Sequence, residues 1–272
     1  MRHASDIAMR SEGAVTRRSV LTGITSFAAF ACQPLGAEPR PIPVAVASSL
    51  RFAMEQIGPA FARAPNGVPV RHIFGATGSL VKQIEEGAPF ELFLAADEAS
   101  VARLETAGRT HGPGRPLVKG RIALVVPKGA AIAPDGSLEG LRAAIAAGQV
   151  RRFAIANPEL APYGVAAREA LTKAGLWEAL SGRVALAENI LQAAQFVASG
   201  GAEAGITSAS VVNAVEVSRL LSSALIAEDR HGPIRQAMAV LKGASAGARA
   251  YATFLSGPEA GAIFVRAGFA LP

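Results

Sequence analysis

Phe74-Gly75-Ala76-Thr77-Gly78-Ser79-Leu80 is the stretch whose reading decides the fold. The strand-like run at residues 68–73 before it predicts a strand. After it, Leu80, Val81 and Ile84 recur at helical spacing up to Gly87, a C-cap. A strand, a Gly-Ala-Thr-Gly-Ser turn and a helix leave backbone N–H groups unpaired at a helix N-terminus. Two hydroxyls stand beside them, and the turn contains no lysine or arginine. Such a turn holds an anion through dipoles and neutral donors alone.

Working outward, the same arrangement recurs. Residues 42–47 predict a strand, followed by Ser48-Ser49 and a helix whose apolar stripe is Leu50, Met54, Ile57 and Phe61. Gly58-Pro59 predicts a kink or break in that helix. Residues 90–95 predict a strand ending at Asp97, which is read as the cap of a helix at 100–107. The pattern restarts at Gly120, with strands at 122–126, 153–156, 184–187 and 204–207. Helices are expected at 138–147, capped by Ser137, at 165–174, and at 190–198 after Glu188-Asn189. A strand at 237–241 and two helices split at Ser256-Gly257-Pro258 close the chain.

Strands alternating with helices predict an α/β fold with parallel or mixed sheets. In such sheets ligands bind beyond the carboxyl ends of the strands. The turns at Ser48-Ser49, at Ala76 to Ser79, at Pro162-Tyr163-Gly164 and at Asn189-Ile190 all lie there, two in each half of the chain. If the halves form separate lobes, four helix N-termini converge on one cleft. Each contributes about 0.3–1 kcal/mol toward a negative ligand, and Ser49, Thr77 and Tyr163 offer hydroxyl donors. Donors without a counter-charge favour a fully deprotonated oxyanion. Two plainer readings stand beside this one: Ser49 as an ordinary N-cap, and Tyr163 packed on the neighbouring half with its hydroxyl in water.

Composition narrows the function classes. The chain has 272 residues and is 50% hydrophobic, enough for one large domain or two lobes. Its formal charge of +6 is dispersed, with no basic run longer than a pair such as Arg151-Arg152 and no interleaved aromatics, which argues against a nucleic-acid surface. A hydrolase lacks its signature, since there is no Gly-x-Ser-x-Gly, and His72, His111 and His231 sit in no catalytic context. Cys32 is the single cysteine, so no internal disulfide forms, and no histidine pair has metal-ligand spacing. Residues 1–37 read as a twin-arginine export signal: Arg17-Arg18, an apolar run at 23–31, and Leu35-Gly36-Ala37 as cleavage site. Lipidation of Cys32 is the less favoured alternative, because Ala29-Phe30-Ala31 lacks the usual leucine.

Several of these motifs, in order, resemble the periplasmic molybdate-binding proteins of ABC transporters. They are Val46-Ala47-Ser48-Ser49-Leu50, the Phe74 to Leu80 stretch, Gln83 to Pro89, and Leu92-Phe93-Leu94-Ala95-Ala96-Asp97. Asn157-Pro158-Glu159, Ala161-Pro162-Tyr163-Gly164, Glu188-Asn189-Ile190 and Phe254 to Ala260 with Gly268-Phe269 continue the likeness. The resemblance implies a two-lobed type II periplasmic binding fold with a mixed sheet in each lobe and a ligand cleft between them. It puts lobe 1 at 38–120 and 236–272 and lobe 2 at 121–235, with hinges near 119–122 and 227–236. It further implies binding of molybdate, and of tungstate with it, and delivery to a membrane permease by a monomeric, periplasmic, non-enzymatic receptor without cofactor or bare metal ion.

By motif position the ligand residues are Ser48, Ser49, Thr77, Tyr163 and Ile190, with Ala76, Gly78, Asn189 and Ser208 behind them. The family usually has serine where Thr77 stands, and some members use a tyrosine at the position of Ser208. Pro162-Tyr163-Gly164 resembles the branch that supplies its tyrosine from that turn instead. A receptor for another oxyanion such as sulfate, or a small-molecule enzyme on the same fold, is the alternative.

Overall fold

The computed structural model describes residues 40–272. The expected export signal and Cys32 lie outside the described residues.

The chain runs β1 (Ile42–Ala47), a 3-10 turn (Ser48–Leu50), α1 (Arg51–Arg63), β2 (Val70–Gly75), α2 (Thr77–Glu85), β3 (Leu92–Ala95), α3 (Glu98–Thr106) and β4 (Arg115–Gly120). Then come β5 (Ile122–Pro127), α4 (Glu139–Ala146), β6 (Phe153–Ala156), α5 (Pro162–Lys173), β7 (Val184–Ala187), α6 (Ile190–Ala198), β8 (Ala204–Ser208), α7 (Ala209–Val212), α8 (Val215–Ser218) and β9 (Leu221–Leu225). It closes with β10 (Ile234–Val240), α9 (Ala246–Leu255) and α10 (Pro258–Arg266).

Two five-stranded mixed sheets result, ordered β2-β1-β3-β10-β4 and β7-β6-β8-β5-β9. In each, three parallel strands sit beside one antiparallel strand, β10 or β5. Each antiparallel strand is the first strand the chain forms after passing from one sheet to the other, at Arg121 and again through residues 226–233. The crossings therefore bring the carboxyl ends of both parallel sets to the same place.

Central strands are apolar on both faces because helices cover both. β3 (Leu-Phe-Leu-Ala) and β6 (Phe-Ala-Ile-Ala) are fully buried. One face of the first sheet packs Leu50, Met54 and Phe61 against Tyr251 and Phe264, and the other packs Leu80, Ile84 and Leu104 against Phe93. The core of the second sheet extends to Ala47, Ala76 and Ala96, at the carboxyl ends of β1, β2 and β3. These small side chains let the two halves meet closely.

Two local expectations are corrected and one is narrowed. Of the kink or break expected at Gly58-Pro59, the break does not occur; α1 runs through both. The carbonyl that Pro59 leaves without a partner belongs to exposed Glu55, where water can serve it, and buried Gly58 admits the His72 ring at 2.9 Å from where a Cβ would stand. Ser137 does not cap α4: Asp135 accepts from the N–H groups of Ser137, Glu139 and Gly140, and Leu138 takes a left-handed φ of 67°. α5 begins at Pro162, not Val165, because proline is pre-organised for a first helical position. Asp97 does cap α3, accepting from Ser100 N–H at 2.5 Å.

His72 on β2 hydrogen-bonds through Nε2 to the hydroxyl of Tyr251 on α9 at 2.9 Å. Burial lowers its pKa to about 4, from 6.5. The unfolded chain therefore binds a proton that the folded chain refuses between those values. This stability is fully present above pH 6.5 and is lost as pH falls toward 4. At about 1.4 kcal/mol per pH unit it amounts to roughly 3 kcal/mol at most. Urea unfolding at pH 7, 5 and 4 should show that loss, and His72→Gln should flatten it; the same slope in the variant would acquit His72.

Candidate functional site

Ser49 sits in the turn after β1, Thr77 opens α2 after β2, Tyr163 lies in the first turn of α5 beyond β6, and Ile190 opens α6 after β7. All four border one small cavity of about 10 Å³. Ser48, Ala76 and Asn189 line it too. Of the residues expected behind the site, Gly78 and Ser208 lie outside its wall. Gly78 N–H donates instead to Leu160 O across the cleft at 2.9 Å, and Ser208 Oγ caps α7 by accepting from Val211 N–H.

Hydrogen-bond accounting shows which donors are left for a ligand. In α2, Leu80 N–H pairs with Ala76 O and Gly78 N–H is taken by Leu160 O, while Thr77 N–H, at the first position, has no acceptor within the helix. In α5, Pro162 has no N–H, and Gly164 and Val165 both donate to Ala161 O, so Tyr163 N–H is the one without a helical partner. In α6, Asn189 Oδ1 accepts from Leu191 and Gln192 at 3.1 Å each, which leaves Ile190 N–H. Thr207 Oγ1 donates to Ile190 O at 2.9 Å and fixes that residue.

The hydroxyls follow the same logic. Thr77 Oγ1 accepts from Ala96 N–H at 3.1 Å, so its own proton is uncommitted. Tyr163 Oη accepts from Gln236 Nε2 at 2.7 Å. Ser49 Oγ donates to Gln236 Oε1 at 3.3 Å, a long bond that is easily exchanged. Ser48 Oγ donates to Gly75 O and ties the ends of β1 and β2 together. Ser49 makes no cap bond to α1, and Tyr163 is 3% exposed, so both plainer readings of these residues fail. Burial pushes the Tyr163 phenol up, opposed by hydrogen bonds with Ser49 and Gln236, and it stays a neutral donor.

None of the described residues lining the cavity carries a formal charge. A neighbouring cavity of about 420 Å³ is larger but unsuited to an anion: Asp97, Glu159 and Glu169 line it, and its Arg103 is paired with Glu85. The small cavity has room for about one water molecule as it stands, but its helix N-termini and hydroxyls are donors of the kind that bind an anion with several acceptor oxygens.

Two residues of the site carry no sequence signal. Gln236, 1% exposed on β10, joins Ser49 to Tyr163 across the cleft. Gly120, at the end of β4, leaves the space Tyr163 occupies: a Cβ there would lie 2.0 Å from the phenol oxygen.

The family model for bacterial extracellular solute-binding proteins matches residues 42–270. The chain belongs to that family. Within it, the chain is 35% identical to the molybdate-binding protein ModA of Azotobacter vinelandii over 245 residues, covering 89% of this chain and 93% of that one. It is 33% identical to the ModA protein of Escherichia coli over 237 residues, 85% and 89% of the two chains. The solved structure of the Azotobacter vinelandii periplasmic molybdate-binding protein superposes with a TM-score of 0.77 at 28% identity, covering 85% of this chain and 99% of that one. The α/β architecture with two mixed sheets is that of this solute-binding family.

Proposed function

We propose that this member of the solute-binding family is the extracytoplasmic receptor of an ABC transporter for molybdate, and for tungstate with it. The observation that carries this reading is the uncharged cavity bordered by Ser49, Thr77, Tyr163 and Ile190. The molybdate-binding relatives in the same family support the choice of anion.

The ligand is held by the hydroxyls of Ser49, Thr77 and Tyr163 and by backbone N–H groups at three helix starts, Ile190 acting through its main chain. Ser48 braces the wall, and Asn189 consumes the N–H groups that would compete with Ile190. The first lobe is residues 40–120 with 234–272 and the second 122–225, hinged at Arg121 and at 226–233; β10 begins at Ile234, so the boundary expected at 235/236 moves to its start. The closed form is presented to the permease, and the protein works as a monomer with no cofactor and no catalytic step.

Every donor is neutral and the bound anion is fully deprotonated, so affinity for molybdate measured by calorimetry should be unchanged from pH 6 to 8. A steep fall across that range would require a titrating group in the site and contradict the neutral-donor reading.

A further inference from the structure

Gln236 spans the meeting of the two sheets. It stands on β10, in the first sheet, where the register with β4 shifts between Gln236 and Ala237. Such an irregularity re-aims a side chain out of the regular pleat. Its amide reaches Tyr163, which belongs to the helix after β6 in the second sheet, and Ser49, which follows β1 in the first. The two bonds differ in length: 2.7 Å to the phenol and 3.3 Å to the serine hydroxyl. Gly120 keeps the space beside both groups open, since a Cβ there would come within 2.0 Å of Tyr163 Oη and 3.1 Å of Gln236 Nε2.

We propose that Gln236 is a positioning residue: its amide N–H occupies the Tyr163 oxygen and thereby turns the phenolic proton toward the ligand, but only when the halves are shut. This deepens the oxyanion-receptor reading and rests on it. An amide nitrogen has donors only, so a hydroxyl oxygen facing it must accept. The Tyr163 proton then has to leave by another direction: without an anion the Ser49 hydroxyl oxygen can take it, and an anion in the cavity that both residues border is the stronger acceptor. The amide oxygen, 3.3 Å from Ser49 Oγ, holds that hydroxyl loosely enough for it to rotate onto an anion. Opening the cleft separates β10 from α5 and removes the constraint, so Gln236 ties the completed donor set to the closed form.

The test is a double-mutant cycle read as molybdate affinity by calorimetry. Gln236→Met keeps the side-chain volume and removes both bonds. It should weaken binding about tenfold when Tyr163 is present, and less than threefold in the Tyr163→Phe background, where no phenolic proton remains to orient. Ligand-free melting is recorded for each variant; if Gln236→Met fails to fold, Gln236→Asn, one methylene too short for the phenol, runs the same cycle. A tenfold loss in both backgrounds, or no loss in the first, overturns the positioning role. The unaltered protein is titrated beside them, and if it binds no molybdate the receptor reading itself falls.

Discussion

Replacing Thr77 by valine should weaken molybdate binding about 10- to 100-fold while leaving the fold in place. Thr77 is 2% exposed, and its oxygen accepts the Ala96 N–H at 3.1 Å, so the hydroxyl proton is its one remaining bond to give. Valine fills the same volume without either function. Losing a hydrogen bond to a charged acceptor costs about 1.5–3 kcal/mol, which is the stated range. The orphaned Ala96 N–H adds a loss that bound and free states share, visible as a modest drop in ligand-free melting temperature. Thr77→Ser keeps the oxygen and should bind close to the parent. Calorimetry on both variants decides the matter: unchanged affinity in Thr77→Val would remove Thr77 from the site.

Gly120→Ala should be more damaging to binding, for a steric reason. The added methyl would stand 2.0 Å from Tyr163 Oη and 2.8 Å from its Cζ, distances that packed atoms do not adopt. Gly120 is not among the residues with positive φ, so backbone strain is no part of the effect. Gly120 ends β4 in the first sheet, and Tyr163 lies on the α5 side of the second. The overlap therefore exists only when the two halves are closed. The variant should lose molybdate affinity by more than about 100-fold, the equivalent of about 2.7 kcal/mol, with little change in ligand-free urea unfolding. Pairing it with Tyr163→Phe, which deletes the nearest overlapping atom, should make the two losses less than additive. Parent-like binding by Gly120→Ala would mean that the closed contact between Gly120 and Tyr163 is not part of the bound state.

The organising turns were legible because each joins an apolar strand to a helix through small or hydroxyl-bearing residues, a pattern set locally. β4 and β9 were not. Arg115-Pro116-Leu117-Val118-Lys119-Gly120 holds a proline and two cations, and Leu221-Ser222-Ser223-Ala224-Leu225 is short and polar at its centre. Both are edge strands, where such residues are tolerated, so they lack the continuous apolar run of β5 or β6. Asp135 stands too far before α4 to read as its cap, and it acts as one because Leu138 adopts the left-handed region and the carboxylate reaches forward past Ser137. Gln236 is an amide inside Ile-Arg-Gln-Ala-Met-Ala-Val, and its role comes from what lies across the cleft, 73 residues away in Tyr163 and 187 away in Ser49. Gly120 is likewise explained only by the distant ring it makes room for. Local chemistry was readable in this chain, whereas partnerships formed by closing two sheets together were not.

The most direct measurement is calorimetric titration of the purified protein with molybdate, tungstate, sulfate and phosphate in turn. One-to-one binding of molybdate and tungstate is the expected result, with little heat from phosphate, whose remaining proton a donor-only cavity cannot accept; a preference over sulfate, which is equally deprotonated and tetrahedral, is expected from the molybdate-binding relatives and not from the donor set. Binding of sulfate or phosphate in place of molybdate would contradict the choice of ligand. No binding of any of the four would reduce the helix starts around Ser49, Thr77, Tyr163 and Ile190 to ordinary packing.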